Sequence, residues 1–250
     1  MKKIIIGILA LIFLVLLVLN FGFETKSKLT VDTESPSEKK TEVSKDENKD
    51  KNIESDSEKE EVVSQKEENY IFNDEDLNAR YQELKEQNEP LVVSVLLPSY
   101  YSNDFISSLE DAFNTDTISF KRVDIEGNTL NLGILPYFDN SDAVIISALQ
   151  IQDYNDEVLS QHNLRNVLQY YMDFYNNGMT AIVLSEPNAH EHNNLENVLL
   201  KDQDYMSNND YYFVSNVDVE ADTMFNEDET TLSTQVEKQI ISNIKKFLVK

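Results

Sequence analysis

Three segments with very different patterns of apolar and polar residues follow one another along this chain. Residues 1–23 are almost entirely apolar after two lysines, residues 24–69 are almost entirely polar, and residues 70–250 mix both kinds of residue in short runs. The third segment is long enough to bury a sizeable core as one domain. We therefore predict a folded domain at 70–250, preceded by two segments of a different kind.

Strands and helices are predicted to alternate along the folded segment. The predicted strands are continuous apolar runs, which are typical of strands buried on both faces of a parallel sheet. The predicted helices repeat apolar residues every three or four positions. The predicted strands are 91–97, 118–125, 143–147, 181–184 and 211–217. The predicted helices are 73–89, 104–113, 158–175, 194–200 and 232–248.

This alternation predicts an α/β fold and the place of its functional loops. Strand–helix–strand units build a parallel sheet that helices cover on both faces, which gives three α/β/α layers. Ligands of such folds bind beyond the carboxyl ends of the strands. We therefore expect functional residues in the loops near these positions: Ser99, Gly127, Gln152, Glu186 and Asp228.

The apolar segment at 1–23 is predicted to be an uncleaved transmembrane signal anchor. Residues 4–19 contain no polar side chain, and a helix of about 20 such residues crosses a bilayer core of about 30 Å. Lys2 and Lys3 favour a cytoplasmic N-terminus and an extracytoplasmic C-terminal domain. A cleaved signal peptide is the alternative, although no small-residue cleavage site follows the apolar run. Both interpretations export the domain.

Residues 24–69 are predicted to be a disordered linker. Their acids, lysines and small polar residues cannot bury enough apolar surface to offset the entropy lost on ordering. A coil of this length would let the domain reach roughly 35–40 Å from the bilayer.

The net charge of the folded segment limits its partners. Residues 70–250 carry 10 Lys and Arg against 31 Asp and Glu, so no basic surface is present for nucleic acid. Anionic lipid and polyanionic wall polymer are disfavoured unless cations bridge the two surfaces. Neutral glycans, small esters and cationic partners remain open. The chain has no cysteine, which excludes disulfides, thiolate metal sites and a cysteine nucleophile.

Four blocks within residues 91–249 resemble, in pattern and order, those of the SGNH/GDSL hydrolase family. The first strand and nucleophile turn of the family resemble Val95-Leu96-Leu97-Pro98-Ser99. The second block is similar to Ile125-Glu126-Gly127-Asn128-Thr129. The third strand and its Gly-x-Asn-Asp turn are similar to residues 142–147 and, with a shift of one residue, 150–153. The Asp-x-x-His-Leu-Ser block resembles Asp228-Glu229-Thr230-Thr231-Leu232-Ser233.

The resemblance implies a flavodoxin-like fold and an esterase or acyl-transfer enzyme that acts on cell-envelope glycans or small esters. It implies that Ser99 is the nucleophile and that Gly127 gives a backbone N–H to the oxyanion hole. It also places Gln152 at the asparagine position of the third turn and Asp228 at the aspartate of the last block.

The sequence differs from the family's motifs at the positions of the catalytic residues. Leu97 and Pro98 replace the Gly-Asp before the serine, Gln152 replaces the asparagine, and Thr231 replaces the histidine. A serine hydroxyl needs a base to take its proton, and loss of that base removes most of the rate. The alternative function is therefore a catalytically inactive binding or scaffolding module of the cell envelope with the same fold.

The three histidines carry the remaining candidate chemistry. His190 and His192 follow a predicted strand and are expected at the same sheet edge as Ser99, where either could act as a relocated base. A polar surface loop is the alternative for both. They could also hold zinc, but no third ligand is indicated by spacing, and the sequence predicts neither a metal nor a cofactor. His162 is expected in a helix, facing solvent or a core edge.

Two shorter features have open interpretations. Tyr100 and Tyr101 lie in the predicted active-site turn, where their rings could stack on a glycan or pack in the core. The acidic run at 227–229 could pair carboxylates or bind calcium, but a solvated turn is the default. Four aromatic residues at helical spacing are expected in the core rather than in a sugar-binding platform: Tyr170, Tyr171, Phe174 and Tyr175.

Overall fold

A five-stranded sheet forms the centre of the computed structural model, which describes residues 69–133 and 140–250. The strands are β1 (Leu91–Leu97), β2 (Ile118–Asp124), β3 (Ala143–Ser147), β4 (Thr180–Leu184) and β5 (Phe213–Val214). Their order across the sheet is β2-β1-β3-β4-β5, and all neighbours are parallel. The prediction of an α/β fold with a parallel sheet is confirmed.

Six α-helices flank the sheet within the described residues. They are α1 (Glu75–Glu86), α2 (Phe105–Phe113), α3 (Gln150–Asn155), α4 (Leu164–Asn176), α5 (Asn193–Asn208) and α6 (Thr234–Leu248). Within 69–133 and 140–250, every helix is too short or too polar to cross a bilayer. The predicted anchor at 1–23, and all but the last residue of the predicted linker at 24–69, lie outside the described residues.

The core has two parts because successive residues of a strand point to opposite faces of the sheet. Val93, Val95 and Leu97 of β1 join the buried apolar residues of α1, α2 and α6. Leu96 belongs instead to the cluster that contains the buried face of α4. Helices thus cover both faces, which explains why the central strands have no polar alternation.

Local signals place the helices that close the first face. Ser233 caps α6 by accepting a hydrogen bond from the Val236 amide at 3.3 Å, and Asp74 caps α1 through the Leu77 amide at 2.7 Å. Helix α6 buries Ile240 and Ile244, which are four residues apart and lie on one stripe.

Three predicted elements differ from the structure. The predicted helix 158–175 is two pieces, a 3₁₀ turn at Leu159–Gln161 and then α4, because the backbone at His162 is not helical. The last predicted strand shrinks to two residues, since β5 is an edge strand that pairs only with β4. The predicted helix 194–200 continues to Asn208 as α5.

Candidate functional site

The predicted site residues lie at one edge of the sheet. All strands are parallel, so the segments that hold Ser99, Gly127, Gln152 and His190 follow the carboxyl ends of β1, β2, β3 and β4 respectively. The strand order reverses between β1 and β3, and the carboxyl edge at such a point is where doubly wound folds bind ligands. We call this edge the carboxyl rim.

Ser99 is exposed in the turn that follows β1. Its hydroxyl makes no hydrogen bond with another described residue. The loop before α6 lies beside this turn, because the Leu232 amide donates to the Tyr100 carbonyl at 2.8 Å. Thr231 is therefore close to the serine turn, but its hydroxyl donates to Asp228 at 2.6 Å. The serine turn and the loop before α6 thus meet, but neither Ser99 nor Thr231 hydrogen-bonds to a histidine.

Asp228 is satisfied within its own turn. Its carboxylate accepts hydrogen bonds from the Thr231 hydroxyl and from the amides of Thr230 and Thr231, both at 2.9 Å. These bonds lower the pKa of Asp228 to about 2. The carboxylate is exposed and charged, and none of its hydrogen bonds reaches a histidine.

His190 lies in an aromatic setting on the carboxyl rim. Its ring stacks on Tyr154 with centroids 4.2 Å apart and lies 5.1 Å from Phe225. Its Nε2 is 2.8 Å from the Asn155 Oδ1. Burial, and then the nearby His192, lower the pKa of His190, so the imidazole is neutral at pH 7. An open cleft of about 790 Å³ lies between His190 and residues 223–229.

His192 and Gly127 have local structural roles. The Nδ1 of His192 accepts a hydrogen bond from the Asn194 amide at 3.1 Å and so caps α5. Gly127 has a φ of +86°, and a Cβ there would lie 2.5 Å from the Asn131 carbonyl oxygen. Only glycine fits this turn without strain.

Helix α3 contains two glutamines, and the one that faces the interior is Gln150, not the predicted site residue Gln152. Gln152 lies on α3 and donates to Asp156 at 3.0 Å on the surface. Gln150 is fully buried. Its side-chain Nε2 donates to the Asp202 carboxylate at 2.9 Å, and its Oε1 accepts from the backbone amide of Glu186 at 3.2 Å. Gln150 therefore links the segments after β3 and β4, a role that no pattern in the sequence indicates.

Glu186 is the centre of a buried cluster beneath the carboxyl rim. Its carboxylate accepts hydrogen bonds from the hydroxyls of Tyr100 and Ser147 and, at 2.6 Å, from the Ile151 amide. Burial raises the pKa of Glu186, although these three hydrogen bonds act in the opposite direction. Both Tyr100 and Tyr101 are buried, which supports their packing role over glycan stacking.

His162 bridges two buried carboxylates. The prediction that it belongs to a helix is wrong, and its side chain is only 7% exposed, so of the two expected surroundings it has the core edge and not solvent. Its Nδ1 is 2.7 Å from Asp153 and its Nε2 is 2.8 Å from Asp202. Carboxylates only accept hydrogen bonds, so both ring nitrogens carry protons. Desolvation lowers the pKa of His162, but the bonds to Asp153 and Asp202 outweigh it and raise the value to about 9. The ring is therefore an imidazolium and cannot serve as a base.

Asp153 extends this bridge to the loop after β2. It accepts hydrogen bonds from the Thr129 amide at 2.8 Å and the Thr129 hydroxyl at 2.5 Å. The polar run at 160–163 interrupts the apolar repeat, and this interruption was the one local signal that His162 does not belong to a regular helix.

The carboxyl rim thus combines an exposed serine with a buried polar layer whose groups satisfy one another. Among residues 69–133 and 140–250, no group of three or more histidine or acidic side chains is arranged to hold a metal ion. Comparison with family models, with curated proteins and with solved structures finds no match to this chain.

Proposed function

We propose that residues 70–250 form an SGNH-like domain of flavodoxin-like architecture that serves as a catalytically inactive binding or scaffolding module of the cell envelope. The observation that carries this proposal is the surroundings of Ser99. None of the three imidazoles hydrogen-bonds to its hydroxyl: His162 is held by two carboxylates, His190 by Asn155, and His192 by the start of α5. A serine without a base is a poor nucleophile.

The buried layer beneath the rim supports the same proposal. Hydrolases direct polar groups toward the substrate. Here the carboxylates of Glu186, Asp153 and Asp202 instead accept hydrogen bonds from other groups of the protein. Such a layer stabilises the shape of the rim. That is what a recognition surface for an envelope glycan needs.

The placement of the domain is part of the proposal. The apolar segment 1–23 anchors the chain in the cell membrane as a single pass, and the linker 24–69 holds the domain outside. Washed membranes are expected to retain the full chain at alkaline pH, and a variant without residues 1–23 is expected in the soluble fraction. Protease added to intact cells is expected to remove the domain.

A second candidate function is an esterase in which His190 is the base. It is favoured by the neutral imidazole of His190 in an open cleft. A chain of contacts also runs from His190 through Phe225 and Leu232 to the turn that holds Ser99. This loop would have to move to bring the imidazole into hydrogen-bond reach of the serine.

Hydrolysis of p-nitrophenyl acetate by the full chain separates the two candidates. The inactive module predicts the same slow turnover for the wild type, Ser99→Ala, His190→Ala and the exposed-serine control Ser108→Ala. If Ser99→Ala and His190→Ala both lower kcat by more than about a hundredfold while Ser108→Ala does not, the esterase is correct.

A further inference from the structure

Large exposed apolar side chains collect at the amino edge of the sheet, opposite the carboxyl rim. Among the described residues seven such side chains are exposed, and four of them lie where α4 and α5 end and β5 begins. These four are Met172, Tyr175, Tyr205 and Tyr212. The expectation that Tyr175 lies in the core is wrong, since it is 61% exposed. Contiguous apolar patches on a protein surface commonly mark binding sites.

Three of these four side chains, Met172, Tyr175 and Tyr212, border a groove of about 740 Å³ that begins at the first residues of β4. We call it the tyrosine groove and define it by six of its lining residues: Asp76, Tyr171, Tyr175, Asp210, Tyr211 and Tyr212. Its volume lies within the range of about 300–1,000 Å³ that is usual for ligand sites.

Three of the four tyrosine rings of the tyrosine groove, those of Tyr171, Tyr211 and Tyr212, are held by contacts within the protein. Tyr211 meets Tyr171 edge to face with centroids 5.2 Å apart, and it stacks on Tyr205 at 6.3 Å. The Tyr212 hydroxyl donates to Asp74 at 2.5 Å, and this bond raises the pKa of Tyr212 to about 12. Fixed, neutral phenol rings present electron-rich faces at little entropic cost.

The charges at the tyrosine groove are of one sign. Asp76 and Asp210 are exposed on its border. Neither forms an ion pair with a lysine or arginine of the described residues. None of the residues that line the groove is basic, and residues 70–250 carry a net charge of −21. Electron-rich rings beside unpaired carboxylates are the surroundings that bind ammonium and guanidinium groups.

We propose that the tyrosine groove binds a lysine- or arginine-bearing peptide segment of a partner protein. The side-chain cations lie over the tyrosine faces, and Asp76 and Asp210 neutralise them. The overall negative charge of the domain draws such a segment to the surface. This surface is separate from the carboxyl rim, so the proposal does not depend on what the Ser99 region does.

Binding of a fluorescein-labelled oligolysine peptide to the full chain, held in phosphatidylcholine nanodiscs, tests the proposal by fluorescence anisotropy at low ionic strength. Asp76→Asn/Asp210→Asn is expected to raise Kd by about tenfold. Asp218→Asn/Asp222→Asn is the matched control, because it removes the same charge from exposed positions elsewhere in the chain. Tyr175→Ala is expected to raise Kd by about threefold and Tyr175→Phe to leave it unchanged.

Two outcomes overturn the proposal. Equal weakening by both acidic double variants means that the peptide responds to net charge and not to the groove. Binding of a neutral N-acetylglucosamine oligomer that is lost in Tyr175→Ala, without groove-dependent oligolysine binding, makes the groove a glycan site. A change in ester turnover or at Ser99 affects neither result.

Discussion

The phenol of Tyr100 donates a hydrogen bond to the buried carboxylate of Glu186, and this bond ties the end of β1 to the end of β4 across β3. The neighbouring Tyr101 is equally buried, yet its hydroxyl has no hydrogen-bond partner among the described residues. Two adjacent tyrosines are thus buried in the same core, but only the hydroxyl of Tyr100 has a hydrogen-bond partner there. Nothing in the sequence distinguishes the two residues.

Because only one of the two hydroxyls is hydrogen-bonded, replacing each tyrosine by phenylalanine is expected to change the free energy of unfolding differently. Tyr100→Phe removes a satisfied buried bond to a carboxylate and is expected to lower the free energy of unfolding by about 1–3 kcal/mol. Tyr101→Phe removes a buried hydroxyl without a partner, so its effect is expected to be near zero or stabilising. Urea unfolding of the full chain, followed by tyrosine fluorescence, measures both. A larger loss for Tyr101→Phe would contradict this account of the cluster.

The bridge from Asp153 through His162 to Asp202 predicts a stability that depends on pH. The pKa of His162 is about 9 in the folded protein, above its usual value of 6.5. The bridge therefore stabilises the fold fully below about pH 6.5, and this contribution falls as the pH rises through about 9. A pKa difference of this size corresponds to about 3 kcal/mol.

His162→Gln is the matched control for this pH dependence. The variant is expected to lose about 3–5 kcal/mol at neutral pH, because two buried carboxylates lose their cation. It is also expected to show a smaller decline in unfolding free energy between about pH 6.5 and 9 than the wild type does. Equal declines in the two proteins would show that His162 is not charged in the fold.

Two glycines have a positive φ, and replacing each by alanine is expected to lower the stability of the fold by different amounts. Gly127 has a φ of +86°, and an added Cβ would lie 2.5 Å from the Asn131 carbonyl oxygen. Gly178 has a φ of +83° and open space around it. Gly178→Ala is expected to cost about 1 kcal/mol from backbone strain alone, and Gly127→Ala at least about 2 kcal/mol. Thermal unfolding of both variants checks the order, and equal costs would show that the loop after β2 adapts to the added Cβ.

The sheet could be predicted from the sequence because burial on both faces leaves an uninterrupted apolar signature. Strands β1 and β3 are identified by that signature alone, and the parallel alternation then places Ser99 and Gly127 at the same edge. Strand β5 could not be delimited, since an edge strand with one neighbour is fixed by pairing and not by composition.

The polar layer beneath the rim could not be predicted, because its bonds join residues far apart in sequence. His162 finds Asp153 nine residues away and Asp202 forty residues away, and no periodic pattern encodes such pairs. The inward turn of Gln150 rather than Gln152 depends on where α3 begins. That start follows a positive φ at Leu149, which is a leucine and gives no turn signal.

Labelling of Ser99 by a fluorophosphonate probe tests the central claim most directly, because the probe reacts only with serines that a base activates. Intact-mass analysis of the full chain at neutral pH, with Ser99→Ala beside it, reads the result. A binding module predicts no adduct on either protein. An adduct on the wild type that is absent from Ser99→Ala would contradict the account, and its further loss in His190→Ala would establish the esterase.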